Sequence, residues 1–262
     1  MKTNCQPLLS IREACRNYND GAGNTKIALS RVDLDVLPGE LVAIIGPSGS
    51  GKSTLLQIAG GIDSPTTGSV DVAGRRISDM TEKERTLFRR EHIGFVFQAI
   101  HLVPSMTVVE NIGLTSIVSN HRTVDWKAEA LVLLHHLGLH EYADKFPDQL
   151  SGGQRQRVGV GRAIFGNPSV ILADEPTGSL DSGNREIVLK LIRQAIDDGQ
   201  RTGGLMVTHD LQAASYADRI IAISDGIVVD QFVNTAAQQF NGQRGGHVHD
   251  ERIRSWFTAV SL

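Results

Sequence analysis

Apolar residues along the chain fall into short runs divided by turn residues, and the spacing inside the runs changes from one segment to the next. Leu8 to Tyr18 predicts a strand, and Asn19 to Asn24 a turn-rich connection. Leu29 is followed by Val32, Leu34 and Val36, the last three at period two, which predicts a second strand that Pro38-Gly39 ends. Together these form a mostly antiparallel β lobe. Leu41 to Ile45 is apolar throughout, the signature of a buried strand, and Leu55, Leu56, Ile58 and Ala59 mark one face of a helix. Asp63 to Ser69, with Pro65 and Gly68, predicts a loop. Val70 to Val72 with the Ala73-Gly74 turn predicts a strand, Glu82 to Arg90 a helix, and Ile93 to Phe97 an aromatic-rich strand that delivers Gln98 at its end.

From about Ile100 to Leu150 the pattern becomes helical. Thr107 and Glu110 form a capping box for a helix through Leu114 and Ile117, and a second helix runs from Trp126 to Leu137 before Gly138. Ser151 caps a third that continues past Arg162 to Ile164. Val170 to Ala173 returns as a buried strand, a helix follows from about Glu186 through Leu189, Ile192 and Ile196, and Leu205 to Val207 is one more strand. Ile220 to Ile223 and Val228-Val229 flank an Asp225-Gly226 hairpin signal. Beyond Asn234 the chain is polar, ending in a short amphipathic piece with Trp256 and Phe257. Strands alternating with helices, a β lobe before them and a helical insertion among them place the chain in the α/β class.

Composition narrows the partners more than the fold. With 262 residues and 40% apolar content the chain can bury a substantial core. A net charge of −3 creates no global field toward nucleic acid or anionic lipid. Two cysteines, Cys5 and Cys15, fit a reducing cytosolic compartment. Apolar runs of about five residues are far below the ~18 that span a bilayer, and residues 1–7 lack a signal-peptide core. The expectation is a chain that does not itself cross a membrane.

The candidate chemistry gathers at strand ends. Gly46-Pro47-Ser48-Gly49-Ser50-Gly51-Lys52-Ser53-Thr54 fits G-x-x-x-x-G-K-[ST], lies between a buried strand and a helix, and therefore predicts a phosphate cradle of backbone N–H groups. Lys52 supplies a point charge to the β- and γ-phosphates and the Ser53 hydroxyl a Mg²⁺ ligand. Ser151-Gly152-Gly153-Gln154 opens a second anion-binding helix start. Asp174 and Glu175 end a buried strand, where Asp174 is expected to hold Mg²⁺ through its water shell and Glu175 to polarise the attacking water. Thr208-His209-Asp210 ends another, and His209 is sited for a γ-phosphate. Tyr18 is read either as an adenine-stacking ring or as an ordinary edge-strand aromatic. His135, His136 and His140, and His247 with His249, read as solvated histidines.

In this order the motifs resemble the nucleotide-binding subunit of an ATP-binding cassette (ABC) transporter, over roughly Leu8 to Asp230. The resemblance implies an α/β P-loop NTPase of ABC ATPase fold, with an N-terminal antiparallel β lobe, a RecA-like core and a helical subdomain. One domain spans 1–262, with lobe and core over 8–98 and 166–232, the helical subdomain over 99–165 and a tail over 233–262. By position it makes Tyr18 the adenine-stacking aromatic, Gly46 to Thr54 the Walker A loop, and Gln98 the Q-loop residue that joins Ser53 and Asp174 at the metal. Ser151 to Gln154 become the signature, Glu175 the catalytic carboxylate, Asp181 the D-loop residue and His209 the switch histidine, with Lys52 and Gln98 also in the catalytic set.

Gly60 to Asp63, Gly94 to Gln98, Leu102-Val103-Pro104 and Thr107 to Asn111 are similar to the LolD/MacB-type branch. That implies ATP and Mg²⁺ as ligands and a second copy bound head to tail. It also implies a separate membrane permease and a peripheral place on the cytoplasmic side of the inner membrane. Export or lipoprotein release is one implied role. A cell-division mechanotransducer that moves no substrate is the alternative, and a DNA-maintenance ATPase a third that lacks the expected heptads and zinc motif. Gly159 and Gly161 depart from the family's usual alanines, which implies close packing or a softer helix.

Overall fold

The computed structural model describes residues 6–19, 25–119, 125–198, 201–235 and 251–260. Two sheets and their helices make up the architecture. The first sheet is antiparallel, in the order β2-β1-β4-β5, from β1 (Leu9–Asn19), β2 (Thr25–Val36), β4 (Thr67–Val72) and β5 (Arg75–Arg76). Its inward residues Leu9, Ile11, Leu34, Val36, Val70 and Val72 alternate with polar ones, as a sheet with one wet face requires. The expected loop over Asp63 to Ser69 is shorter than its composition predicts, because Cys15 of β1 pairs with Thr67 and draws that residue into the sheet.

The second sheet has the order β10-β9-β3-β8-β7-β6. Its strands are β3 (Leu41–Ile45), β6 (Ile93–Val96), β7 (Val170–Asp174), β8 (Gly203–Val207), β9 (Arg219–Ser224) and β10 (Ile227–Val233). All neighbours pair in parallel except β9 with β10, joined by the hairpin at Asp225-Gly226. Residues of β3 and β8 are buried without exception, which explains their uninterrupted apolar runs.

The helices α1 (Lys52–Ala59), α2 (Glu82–His92), α6 (Gly152–Ile164) and α7 (Ser182–Asp198) pack around these sheets. A third apolar cluster gathers α3 (Val108–Ile112) and α5 (Trp126–His136) against α6, with α4 (Leu114–Val118) between them in sequence. The single helix expected from Thr107 through Ile117 is two pieces that meet at Gly113, where a side chain would run into the Trp126 ring, 2.2 Å from the Cβ position. The helix expected from about Glu186 starts four residues earlier, at Ser182. Asp181 accepts from Asn184 N at 2.9 Å and so caps that end. A short α8 (Leu211–Ala214) and the terminal α9 (Glu251–Ala259) complete the described chain. Ile253 of α9 is buried in the core around β3 and β8, so the amphipathic piece is a docked helix. His247 and His249 lie outside the described residues, and His135, His136 and His140 are exposed.

Candidate active site

Strand order alone assembles the site. β3 lies between β8 and β9, and β7 follows β8, so the carboxyl ends of β3, β8 and β7 form one edge. Register makes this exact in position: Ile44 pairs with Val207, and Val207 with Asp174. Two backbone bonds carry the alignment past the strands, Thr208 N to Ile44 O at 3.1 Å and Glu175 N to Val207 O at 2.9 Å.

The loop Gly46 to Thr54 leaves β3 and enters α1 at this edge. Gly51, its left-handed N-cap at φ 101°, approaches Ala28 O so closely that a Cβ would stand 2.3 Å from it. Only glycine fits there. α1 has no side-chain cap and no acidic residue in its first turn, so its leading N–H groups face outward and favour an anion. Lys52 Nζ spans the loop, donating to Gly46 O and Pro47 O at 2.8 Å each. Burial lowers its pKa, while Glu175 and Asp174 act to raise it.

Opposite Lys52 stands the carboxylate pair. Burial raises the Asp174 pKa, and so does Glu175, against the lowering effects of Lys52 and a hydrogen bond from Ser53. Two acids at a buried edge with one ammonium fit a further cation, and Ser53 with Asp174 is the donor set that would hold Mg²⁺. Among the described residues no cluster of three His, Cys, Asp or Glu forms a cation cage, and Mg²⁺ in such sites borrows its other ligands from phosphates and water. Glu175 itself has φ 44°, a left-handed backbone that non-glycine residues seldom adopt, and its carboxylate is held from two sides. His209 Nδ1 lies 2.8 Å from Oε1, and Thr208 Oγ1 donates to Oε2 at 3.4 Å. The His209 side chain is 71% exposed against 14% for Glu175, so the pair presents a wet imidazole over a sheltered carboxylate. Gln98 follows β6, with its amide nitrogen 3.4 Å from where a Cβ of Gly178 would stand, beside the Glu175 loop.

Ser151 to Gln154 form a second group. Ser151 Oγ accepts from Gln154 N at 3.2 Å, and Gln154 Oε1 accepts from Ser151 N at 2.8 Å, a closed capping box on α6. Ser151 and Gly152 are exposed. Gly153 packs on Asn184, whose side chain lies 2.4 Å from where a Cβ at Gly153 would be, and Asn184 Nδ2 donates to Asp181 Oδ2 at 2.7 Å. These hydrogen bonds close on the signature and the Asp181 loop, and none of them reaches Gly46 to Thr54. Tyr18, at the end of β1, is partly exposed.

Sequence reasoning gave no role to three positions that hold the site together: Thr208 on Glu175, Asn184 between Gly153 and Asp181, and Gln156. The buried Gln156 donates from Nε2 to Pro176 O at 2.8 Å, tying α6 to the segment after Glu175. Its register three residues after Gly153 is the only trace in the sequence.

The ABC transporter family model matches residues 29–178, the stretch that carries the P-loop, Gln98, the signature and the Asp174-Glu175 pair. The chain belongs to the ABC transporter family. Its cassette is 42% identical over 231 residues to the macrolide export ATP-binding/permease protein MacB of Burkholderia pseudomallei (strain K96243), which covers 88% of this chain and 35% of that protein. MacB of Agrobacterium fabrum is 41% identical over the same length and with the same coverage. The cassette thus spans about a third of the curated relatives it matches. Among solved structures, a dimeric post-hydrolysis state of the ATP-binding cassette MJ0796 bound to ADP and Pi superposes with a TM-score of 0.79 at 38% identity, over 86% of this chain and 98% of that one. The fold is accordingly that of an ABC ATPase cassette, with an antiparallel sheet beside a mostly parallel one. Among the described residues, no helix is long and apolar enough to cross a membrane.

Proposed function

We propose that the cassette hydrolyses ATP between two head-to-tail copies and that the resulting opening and closing drives a separate membrane permease, for export or lipoprotein, peptide or drug extrusion. The observation that carries this reading is the Glu175 carboxylate, sheltered at the end of β7 and bonded by His209 and Thr208 beside the P-loop. A carboxylate so placed orients and polarises water for attack on a γ-phosphoryl group. Gly46 to Thr54 cradle the phosphates, Lys52 neutralises developing charge, and His209 contacts the γ-phosphate. Ser53, Asp174 and Gln98 would hold Mg²⁺, which when bound screens the phosphate charge. Tyr18 stacks on the adenine.

Head-to-tail pairing follows from what one copy lacks. Ser151 and the Gly152-Gly153 N–H groups form an exposed anion-binding end whose hydrogen bonds reach none of the P-loop residues in the same chain. They therefore meet the γ-phosphate of a partner, with Asp181 at the seam. The cassette MJ0796 is dimeric with ADP and Pi bound, which supports the pairing of two copies. A groove of about 710 Å³ between β6 and α4, lined by Phe95, Phe97, Leu114, Val118, Arg90 and Arg162, is where a permease loop docks. This makes the protein peripheral to the cytoplasmic face of the membrane, and the MacB relatives favour export.

Glu175→Gln tests the reading. The variant retains ATP, forms an ATP-dependent dimer in size-exclusion chromatography and loses turnover by about 10²-fold or more. Normal hydrolysis in Glu175→Gln, or full-rate hydrolysis by a monomer, overturns it. Co-purification with a permease from the same operon separates transport from a soluble role.

A further inference from the structure

We propose that Asp63 and Arg16 are positioning residues for the nucleotide base, locking the Tyr18 ring to the end of the P-loop helix so that a single ring face is offered at a set distance from the phosphate cradle. The inference rests on the reading of Tyr18 as the base-stacking aromatic. It concerns how that ring is held.

Two contacts converge on Tyr18, and a third joins the two residues that make them. Its phenol donates to Asp63 Oδ2 at 2.8 Å. Arg16, two residues earlier on β1 and so on the same face of the strand, sets its guanidinium 4.5 Å from the ring centroid. The same guanidinium reaches Asp63 Oδ1 at 2.9 Å. The carboxylate thus bonds both the plane that covers the ring and the hydroxyl at its tip.

Asp63 is in turn immobilised on α1. Its backbone N–H donates to Gln57 O at 3.2 Å, inside the last turns of the helix that Lys52 begins, and its Oδ1 also accepts from Ser64 N at 2.7 Å. Base platform and phosphate cradle are therefore two ends of one rigid unit. Arg16 occupies one face of the ring, which leaves the other for a purine, and the ring's orientation is set before the nucleotide arrives. A platform ordered in advance loses less rotamer entropy on binding. Stacking of the base on the aromatic ring depends on that orientation. Neither Asp63 nor Arg16 reaches the P-loop residues that meet the phosphates, so the effect falls on binding and not on the chemical step.

The experiment uses the full chain and measures ATPase KM and kcat, with inorganic tripolyphosphate as a competing probe that has phosphates and no base. Asp63→Ala raises KM for ATP about three- to tenfold, the scale of one lost hydrogen bond, with kcat and inhibition by tripolyphosphate unchanged. Tyr18→Phe, which loses only the phenol bond and keeps the ring, shifts KM in the same direction with an unchanged melting temperature. If Tyr18→Ala raises KM while Asp63→Ala and Tyr18→Phe do not, the clamp is overturned and the base reading stands. If Tyr18→Ala leaves KM unchanged, both fall. Equal weakening of ATP and tripolyphosphate by Asp63→Ala also overturns the clamp, because the loss then runs through the phosphate cradle.

Discussion

Asp174 shows at the scale of one residue how a site for catalysis is held at a cost to the fold. Burial and the adjacent Glu175 raise its pKa, and Lys52 and Ser53 only partly oppose them. A raised acid binds its proton more tightly in the folded chain than in the unfolded one. Its contribution to stability therefore falls as pH rises from the unfolded value through the folded one, and returns as pH falls. Asp174→Asn, which cannot ionise, raises the melting temperature of the nucleotide-free protein at neutral pH and flattens this part of the pH profile. Hydrolysis is lost in the same variant. Thermal melts across the acid and neutral range, with and without the substitution, check both statements, and a lower melting temperature for the variant would mean that Lys52 outweighs burial. That Asp174 ends a buried strand was legible from the apolar run before it; that it pays an electrostatic penalty there was not, since neither Lys52 nor Glu175's orientation is visible along the chain.

At the scale of the element, the two glycines of α6 separate into opposite cases. A Cβ at Gly161 would lie 2.6 Å from Leu137 Cδ1 and 3.1 Å from Ile112 Cδ1, inside the cluster shared by α3, α5 and α6. A Cβ at Gly159 meets only Ile100 Cγ2, at 3.0 Å, on a partly buried loop residue that has room to yield. Gly161→Ala is expected to destabilise by about 1–3 kcal/mol through overpacking. Gly159→Ala is expected to stabilise, by less than about 1 kcal/mol, because it removes the helix penalty of glycine. Urea unfolding of the two variants gives the signs. Close packing is thus the reason for the first departure from alanine, and the second has no such constraint. The same limit governs the other element boundaries. The capping box at Thr107 was readable because it is local, whereas the need for glycine at 113 depends on a tryptophan 13 residues away, and the start of β4 at Thr67 depends on its partner strand.

For the whole molecule, the decisive interior feature is a charge cluster with no signature in the sequence. Arg193 is 1% exposed on the apolar face of α7, beside Leu189, Ile192 and Ile196. It donates to Asp218 at 2.7 Å, to Asp197 at 2.6 Å and to Gly39 O at 2.7 Å, while Asp218 accepts from Leu41 N at 2.9 Å. One guanidinium therefore joins α7 to the entry of β3 and to the residue before β9. Arg193→Ala is expected to cost about 3–5 kcal/mol, because it takes the guanidinium away from the buried Asp218 carboxylate. Chemical denaturation measures it, and a loss under about 1 kcal/mol would show that water replaces the guanidinium.

What the sequence by itself determined is whatever local chemistry dictates. Buried strands announce themselves by unbroken apolar runs, a phosphate cradle by its glycines and lysine, and helix starts by their capping residues, so the α/β class, the motif order and most of the candidate residues could be read before any coordinates. Tertiary structure alone decided which of these residues meet. The pairing of β3 with β8 and of β8 with β7 brings Lys52, Asp174, Glu175 and His209 to one edge, and the approach of Asn184 to Gly153 binds the signature to the Asp181 loop. Such contacts join residues far apart in the chain, through packing and strand register, and nothing in the local pattern of either partner encodes the other.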